Sequence, residues 1–299
     1  MSHGRNDLYE LVHIKGNTWY IDCPAKIGVY VTADKRAYLI DSGSDKEAGK
    51  KIVRRLEEQG WSAEAVLNTH SNGDHIGGNK LLQDRLGVSC YAPEIEDTFT
   101  AHTILEPSFL YGGYPCKALR NKFLMAEAAP VRPLREAVLP AGFSFFSLPG
   151  HFFNMVGFRT PDGVVFAADC LFGEETLNKY HVTFVYDVAG YLETLDRISS
   201  MDADWFVPAH GPICRDLRPL AALNRKKVEQ ITADLLEICR EPSGFDRILA
   251  RIFDRYRLAM DLNQHVLVGS TIRSYLSYLI DTGRMAVTFE NNILCWRTL

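Results

Sequence analysis

The chain has 299 residues, 46% of them hydrophobic and 23% charged, and a net charge of −4. That length and composition describe a soluble globular protein with one large domain plus an appendage. The acidic balance gives no electrostatic footprint for a general nucleic-acid binder, and no run approaches the roughly 20 apolar residues of a membrane span. Met1 to Glu10 is polar and lacks the apolar core of a signal peptide. Seven cysteines (Cys23, Cys90, Cys116, Cys170, Cys214, Cys239, Cys295) lie scattered without a C-x-x-C pair. An odd, unpatterned set reads as reduced thiols in a cytoplasmic protein rather than as a disulfide framework.

In chain order, residues 18–21 and 27–31 read as strands, and 37–40 pairs back as a hairpin across the turn at 33–36. That strand runs into Asp41-Ser42-Gly43. Ser44 followed three residues later by Glu47 offers a capping box for a helix with Ala48, Ile52, Val53 and Leu56 on one face, stopping at Gly60. A strand over 65–67, a helix over 80–86 and a strand over 88–91 follow, an alternation that predicts an α/β layered fold. Residues 93–140 break this rhythm. The stretch Glu106-Pro107-Ser108-Phe109-Leu110-Tyr111-Gly112-Gly113-Tyr114-Pro115 shows no period, and a long irregular segment of this kind is expected as an active-site cover or a structural insertion. Regular β pattern resumes at 143–148, with a hairpin of 156–159 and 164–168, a helix over 191–200 and a strand over 205–207. After Pro219 come helices over 220–241, 245–256 and 265–280, then a terminal hairpin. Residues 1–217 thus read as one domain and 218–299 as a small helical, winged-helix-like domain.

Four strand ends deliver metal-type side chains: His70, Asp74 and His75 with Asn72 between them, then His151, Asp169 and His210. Imidazoles and carboxylates together suit a borderline-soft divalent metal. The ordered set Asp41-x-Gly43, His70-x-Asn72-x-Asp74-His75, His151, Asp169 and Pro208-x-His210-Gly211 resembles the metallo-β-lactamase superfamily over roughly residues 18–215. The resemblance implies a four-layer αββα sandwich with a metal site along one edge. It places His70 and His151 in a first metal site and Asp74, His75 and His210 in a second, with Asp169 bridging them.

Members of that superfamily commonly carry His-x-His-x-Asp-His, and here Asn72 stands at the second histidine. A neutral amide oxygen is a weaker zinc ligand than an imidazole nitrogen, so the second site is expected to bind tightly and the first weakly. Zinc, one or two per chain, is the expected cofactor, with iron or manganese as the harder alternative. A divalent metal lowers the pKa of bound water to about 7, so a metal-bound hydroxide attacking an ester-like bond (thioester, lactone or phosphodiester) of a small or medium molecule is the expected chemistry. Asp74 and Asp169 are the candidates to orient the nucleophile or carry a proton, and Asp41 reads either as organising the hydrogen bonds behind the ligands or as a plain turn aspartate before Gly43.

Tyr111, Tyr114, Tyr180 and His181 are candidates to line a substrate pocket, with packing as the competing reading for each. His102 carries the same two readings. His3, His13 and His265 read as solvated or as part of the helical tail. Cys170 follows Asp169 on a strand and so is expected to face the core. Met155, where the superfamily often has another histidine, hints at drier surroundings. A small-molecule substrate, no membrane, no nucleic acid, and room for a homo-oligomer complete the expectation. The competing classes are a non-catalytic ligand- or metal-sensing module, favoured by Asn72 alone, and an RNA-processing nuclease, opposed by the net charge.

Overall fold

The structure, a computed structural model, describes residues 9–299, so His3 lies outside the described residues. Seven strands form the first sheet in the order β1 to β7: β1 (Glu10–Lys15), β2 (Thr18–Asp22), β3 (Ile27–Val31), β4 (Arg36–Ile40), β5 (Ser62–Leu67), β6 (Ser89–Ala92) and β7 (Arg132–Pro133). The first four pair antiparallel through tight turns, with Gly28 opposite Ile40 in the expected hairpin. From β4 to β7 the pairing is parallel. Parallel strands need crossovers, and α1 (Lys46–Gln59) and α3 (Asn79–Leu86) provide the first two. Four more strands make a second sheet in the order β11-β10-β9-β8: β8 (Ser144–Ser147), β9 (Val156–Arg159), β10 (Val164–Phe172) and β11 (Trp205–His210).

Alternation along the strands divides the apolar residues between two cores. Ile21, Val29, Leu39 and Val66 face the helix layer, where Ile52, Val53, Leu56 and Leu82 cover them. Tyr20, Tyr30, Tyr38, Ile40 and Leu67 face the other way, onto Phe158, Val164, Phe166 and Val207 of the second sheet. A helix layer over two stacked sheets is therefore built within the first of two compact units, whose described residues are 9–148, 153–169 and 201–216.

The cap of α1 differs from the expected box. Asp45, not Ser44, is the N-cap, and its Oδ1 accepts from the amides of Glu47 and Ala48 at 3.0 and 3.1 Å. A carboxylate at a helix N-terminus satisfies two orphan donors and meets the positive end of the macrodipole, which a serine hydroxyl does less well. The 93–140 segment is also more regular than its composition predicts. It contains α4 (Glu96–Ala101), α5 (Leu105–Tyr111) and the edge strand β7. Pro107 falls in the first turn of α5, where a missing N–H removes no helical bond.

The second unit comprises residues 149–152, 170–200 and 217–299. It contains the helices α6 (Glu174–Tyr180), α7 (Val188–Ser199), α8 (Arg218–Ile238), α9 (Phe245–Tyr256) and α10 (Leu262–Asp281). A three-stranded sheet in the order β12-β14-β13 joins Ser243–Gly244, Ile293–Thr298 and Met285–Glu290. Asn224 of α8 ties the unit internally: its Nδ2 donates to Phe172 O at 2.9 Å while its Oδ1 accepts from Phe172 N and Tyr191 Oη, both at 3.0 Å. Asp187 and Asp261 cap α7 and α10, which is why both helices begin earlier than their apolar pattern indicates.

Candidate metal centre

The loop leaving β5 is closed by an amide pair. Asn79 Nδ2 donates to Asn68 Oδ1 at 2.7 Å and Asn68 Nδ2 donates back to Asn79 Oδ1 at 3.3 Å. Between them lies the short helix α2 (Gly73–Ile76). Its exit passes tightly against the 42–44 turn: a Cβ on Gly77 would sit 2.2 Å from the carbonyl carbon of Ser44, and one on Gly78 2.4 Å from Ser42 O. Only glycine admits such an approach. Ser42 N in turn donates to His75 O at 2.8 Å, which fixes the loop against the end of β4.

Asp41 sits at that end with a positive φ of 65°, a conformation aspartate tolerates better than most residues. Its Oδ1 accepts from Thr69 N at 2.7 Å, and its Oδ2 accepts from Thr69 Oγ1 and from His75 Nδ1, both at 2.8 Å. The single Thr69 hydroxyl proton is thus committed to Asp41. The same oxygen, 2.9 Å from His70 Nδ1, must then accept from that ring nitrogen. His210 Nδ1 donates to Pro24 O at 2.8 Å, and His151 Nδ1 donates to Phe184 O at 3.0 Å. In all four imidazoles the Nδ1 proton is tethered to an oxygen, so Nε2 is the nitrogen that could ligate a metal.

The structure gathers these residues into two groups, Asp74 with His75 and His210, and His70 with His151 and Asp169; within each, the candidate ligand atoms lie within 4.8 Å of one another. His75 Nε2 is 3.2 Å from Asp169 Oδ1, and His210 Nε2 is 3.2 Å from both Asp169 Oδ2 and Asp74 Oδ2. Ala168, with φ of 48°, makes the local twist that precedes Asp169 in β10. Cys170, next in the strand, is completely buried, as is Met155.

Charge defines what this arrangement holds. Burial opposes charging His75, but the carboxylates of Asp169, Asp74 and Asp41 outweigh it and hold its pKa well above the usual histidine value. The same contest, led by burial and overturned by Asp169 and Asp74, pushes His210 up to about 10. Asp74 and Asp169 move the other way: burial raises them, but the facing imidazoles prevail and keep both below the usual carboxylate range. Positive charge is therefore required between the nitrogens and the carboxylates, as protons or as a cation. A nitrogen- and oxygen-rich donor set with Nε2 lone pairs converging fits zinc.

Asn72 is held from outside this cluster. Its Nδ2 donates to Glu106 Oε1 of α5 at 2.8 Å. Glu106 is 6% exposed, and burial, opposed by the Asn72 hydrogen bond, holds its pKa well above the usual value. The preceding residue is held in the same manner. Glu96 Oε2 of α4 accepts from Ser71 N at 3.1 Å and from Ser71 Oγ at 2.6 Å, while its Oε1 accepts from Asn154 N at 2.8 Å. Burial pushes Glu96 up to about 7. Thr69, Glu96 and Glu106 were not legible as site residues. Threonine beside a histidine is a common dipeptide, and both glutamates fall in the segment with no period.

Of the candidate substrate residues, Tyr111, Tyr114 and Tyr180 are exposed. The Arg120 guanidinium carbon lies 5.4 Å from the Tyr114 ring centroid and Lys179 Nζ 4.7 Å from that of Tyr180. His181 stacks on Tyr256 with ring centroids 5.0 Å apart, and Lys227 Nζ lies 3.5 Å from its Nδ1. His102 is exposed, and His13 Nε2 lies 2.9 Å from Gly16 O. Among the described residues, no helix is long and apolar enough to cross a membrane.

Comparison with known proteins follows the same outline. The chain resembles a hydroxyacylglutathione hydrolase, GloC, of Haemophilus influenzae, 28% identical over 143 residues that cover 46% of this chain and 63% of that one. A hydroxyacylglutathione hydrolase of Xanthomonas euvesicatoria is 29% identical over 147 residues, covering 49% and 46% of the two chains. The chain thus spans less than two thirds of the length of these curated relatives. Among solved structures, a β-lactamase domain protein from Burkholderia ambifaria superposes with a TM-score of 0.77 at 17% identity, covering 100% of this chain and 96% of that one. A metallo-β-lactamase family protein from Thermus thermophilus gives 0.70 at 18% identity over 97% of both chains, so the likeness in fold extends through the helical second unit. The family description "Metallo-beta-lactamase superfamily" matches residues 22–210, from the end of β2 to the last histidine of the cluster, and the chain belongs to that superfamily.

Proposed function

We propose that the protein is a metal-dependent hydrolase that cleaves a thioester of a small or medium acyl-thiol, with zinc as its metal. The observation that carries the metal reading is the common tethering of His70, His75, His151 and His210 through Nδ1, which aligns four Nε2 lone pairs for ligation. Similarity to two hydroxyacylglutathione hydrolases favours a thioester over the lactones and phosphodiesters that the superfamily also accommodates. Asp74, His75 and His210 would hold one metal and His70 and His151 the other, with Asp169 shared and Asn72 a neutral oxygen donor at the latter. When bound, such a metal lowers the pKa of water to about 7 and polarises the carbonyl under attack.

The protein's own carboxylates divide the remaining work by accessibility. The Asp169 side chain is 5% exposed and the Asp74 side chain 43%. Asp169 therefore serves to hold cationic charge between His75 and His210. Asp74 reaches solvent and is placed to accept a hydrogen bond from the attacking water and to pass a proton toward the departing thiolate. Thr69 and Asp41 keep His70 and His75 in the ligating tautomer throughout. Residues 218–299 we assign as a winged-helix-like domain, from the sheet order β12-β14-β13 around α9 and α10.

The test is a panel of acyl-glutathione and acyl-coenzyme A thioesters, lactones and phosphodiesters, assayed with the zinc-loaded protein with and without chelator. Chelator-sensitive turnover of thioesters is expected. Metal binding with no turnover of any activated ester would favour the sensing module, and phosphodiester turnover without thioester turnover would overturn the substrate class.

A further inference from the structure

Asn72 breaks the superfamily's ligand pattern, and its side chain is held by a glutamate from a segment that the pattern does not include. We propose that Glu106 and Glu96 are positioning residues of the metal centre, holding Asn72 and Ser71 so that the loop from His70 to Asp74 presents its ligand atoms in register. The inference rests on the metal-centre reading above.

Two consecutive loop residues are each gripped by a buried carboxyl group, Ser71 by Glu96 and Asn72 by Glu106. Buried carboxylates are costly and persist where hydrogen bonds satisfy them. Glu96 receives three donors, two from Ser71 and one from Asn154. Asn154 Nδ2 also donates to Glu94 O at 2.9 Å, so the same segment holds the chain just before β9 twice. The backbone pays for this placement: Ile95, a β-branched residue immediately before Glu96, has φ of 75°. Such a residue in the left-handed region is a true outlier, sustained only where its surroundings determine it. Among the described residues, neither glutamate belongs to a group of converging metal-ligand atoms, which marks them as holders rather than ligands.

The consequence for Asn72 is directional. Glu106 Oε1 accepts from the amide nitrogen of Asn72 at 2.8 Å, which sets the carbonyl oxygen on the other branch of the planar group. The glutamate thereby makes Asn72 an oxygen-presenting residue at the position where relatives in the superfamily present an imidazole.

The experiment titrates the untagged full-length chain with zinc in competition with a chromophoric chelator, and records the cobalt(II) spectrum of each variant. Glu106→Leu should weaken the weaker metal equivalent by about 10- to 100-fold and leave the tighter one unchanged. Glu106→Gln, whose amide oxygen still accepts from Asn72, should restore binding to within a few-fold. Glu96→Gln should weaken the same equivalent, since one amide oxygen cannot serve both Ser71 and Asn154. Should Glu106→Leu fail to fold, a charge-conserving cycle decides. Asn72→Asp alone sets two carboxyl groups against each other, and adding Glu106→Gln restores a donor–acceptor pair. The double variant should bind the weaker equivalent at least about tenfold more tightly than Asn72→Asp alone. Folded variants that bind both equivalents like the wild type, or additive effects in the cycle, would overturn the positioning role. A wild-type chain that takes up no zinc at all would instead overturn the metal-centre reading.

Discussion

His75 and Asn72 stand three residues apart on one loop and are supported from opposite directions. His75 is held by Asp41 from the end of β4, within the alternating strand framework. Asn72 is held by Glu106 from α5, in the segment that interrupts that framework. Both partners are carboxyl groups at 2.8 Å, yet their effects differ. Asp41 fixes a tautomer and leaves a nitrogen lone pair for a metal, while Glu106 fixes an amide and leaves a carbonyl oxygen. The difference teaches that the strand framework sets which candidate ligands are present, whereas the intervening segment holds Asn72, the candidate that departs from the superfamily pattern.

The largest expected effect comes from removing what the two sides share. Asp169→Ala should abolish thioester turnover to below about 1% of wild type and reduce bound zinc, read by steady-state assay and elemental analysis. Full activity in that variant would sink the assignment of the site. Next comes the His75 side of the comparison. Thr69→Val removes the oxygen that holds His70 Nδ1 and a donor to Asp41, and zinc affinity should fall about 10- to 100-fold in a chelator competition. An unchanged affinity would show that the tethering of Nδ1 is incidental.

A pH experiment sharpens the same comparison. In the metal-free chain His210 is raised to about 10 and His75 also lies above its ordinary value, so both carry protons at neutral pH. The His210 proton contributes stability that is fully present below the unfolded histidine value of about 6.5 and is lost as pH rises through about 10, and the His75 proton acts in the same direction. Zinc must displace them. Loading should therefore release protons at pH 7, measurable as a buffer-dependent heat in calorimetry, and affinity should rise with pH over that window. Glu96 carries the opposite sign. With its folded value raised to about 7, ionising it costs stability as pH rises from about 4.5 through 7, and Glu96→Gln should flatten that part of the metal-free stability profile. The smallest effect lies away from the site. Asp45→Ala removes the cap of α1 and should cost about 1 kcal/mol, a shift of roughly 2 °C in thermal midpoint.

The strand framework was legible because period-2 patterning and turn residues report directly on a sheet with two buried faces. The expected hairpins at 27–40 and 156–168 appear with their partners in register. His70, His151 and His210 were legible because each follows the end of an apolar run, at Leu67, Leu148 and Ala209. Asp169, expected at a strand end, lies inside β10, which runs on to Phe172 because Cys170, Leu171 and Phe172 continue the buried run. Glu96 and Glu106 were not legible. A buried carboxyl group looks like a surface one in a sequence, and its partners Ser71 and Asn72 lie 25 and 34 residues away. The cap at Asp45 was missed for a simpler reason, since Ser44 and Asp45 are adjacent and both are competent caps, so the sequence pattern does not choose between them.

The measurement that bears most directly on the account is the zinc content of the untagged full-length chain after loading and exhaustive dialysis. About one equivalent retained, with a second taken up only when zinc is in excess, is the result expected from a complete Asp74, His75, His210 and Asp169 set beside a weaker site completed by Asn72. No zinc retained and none taken up on reloading would contradict it.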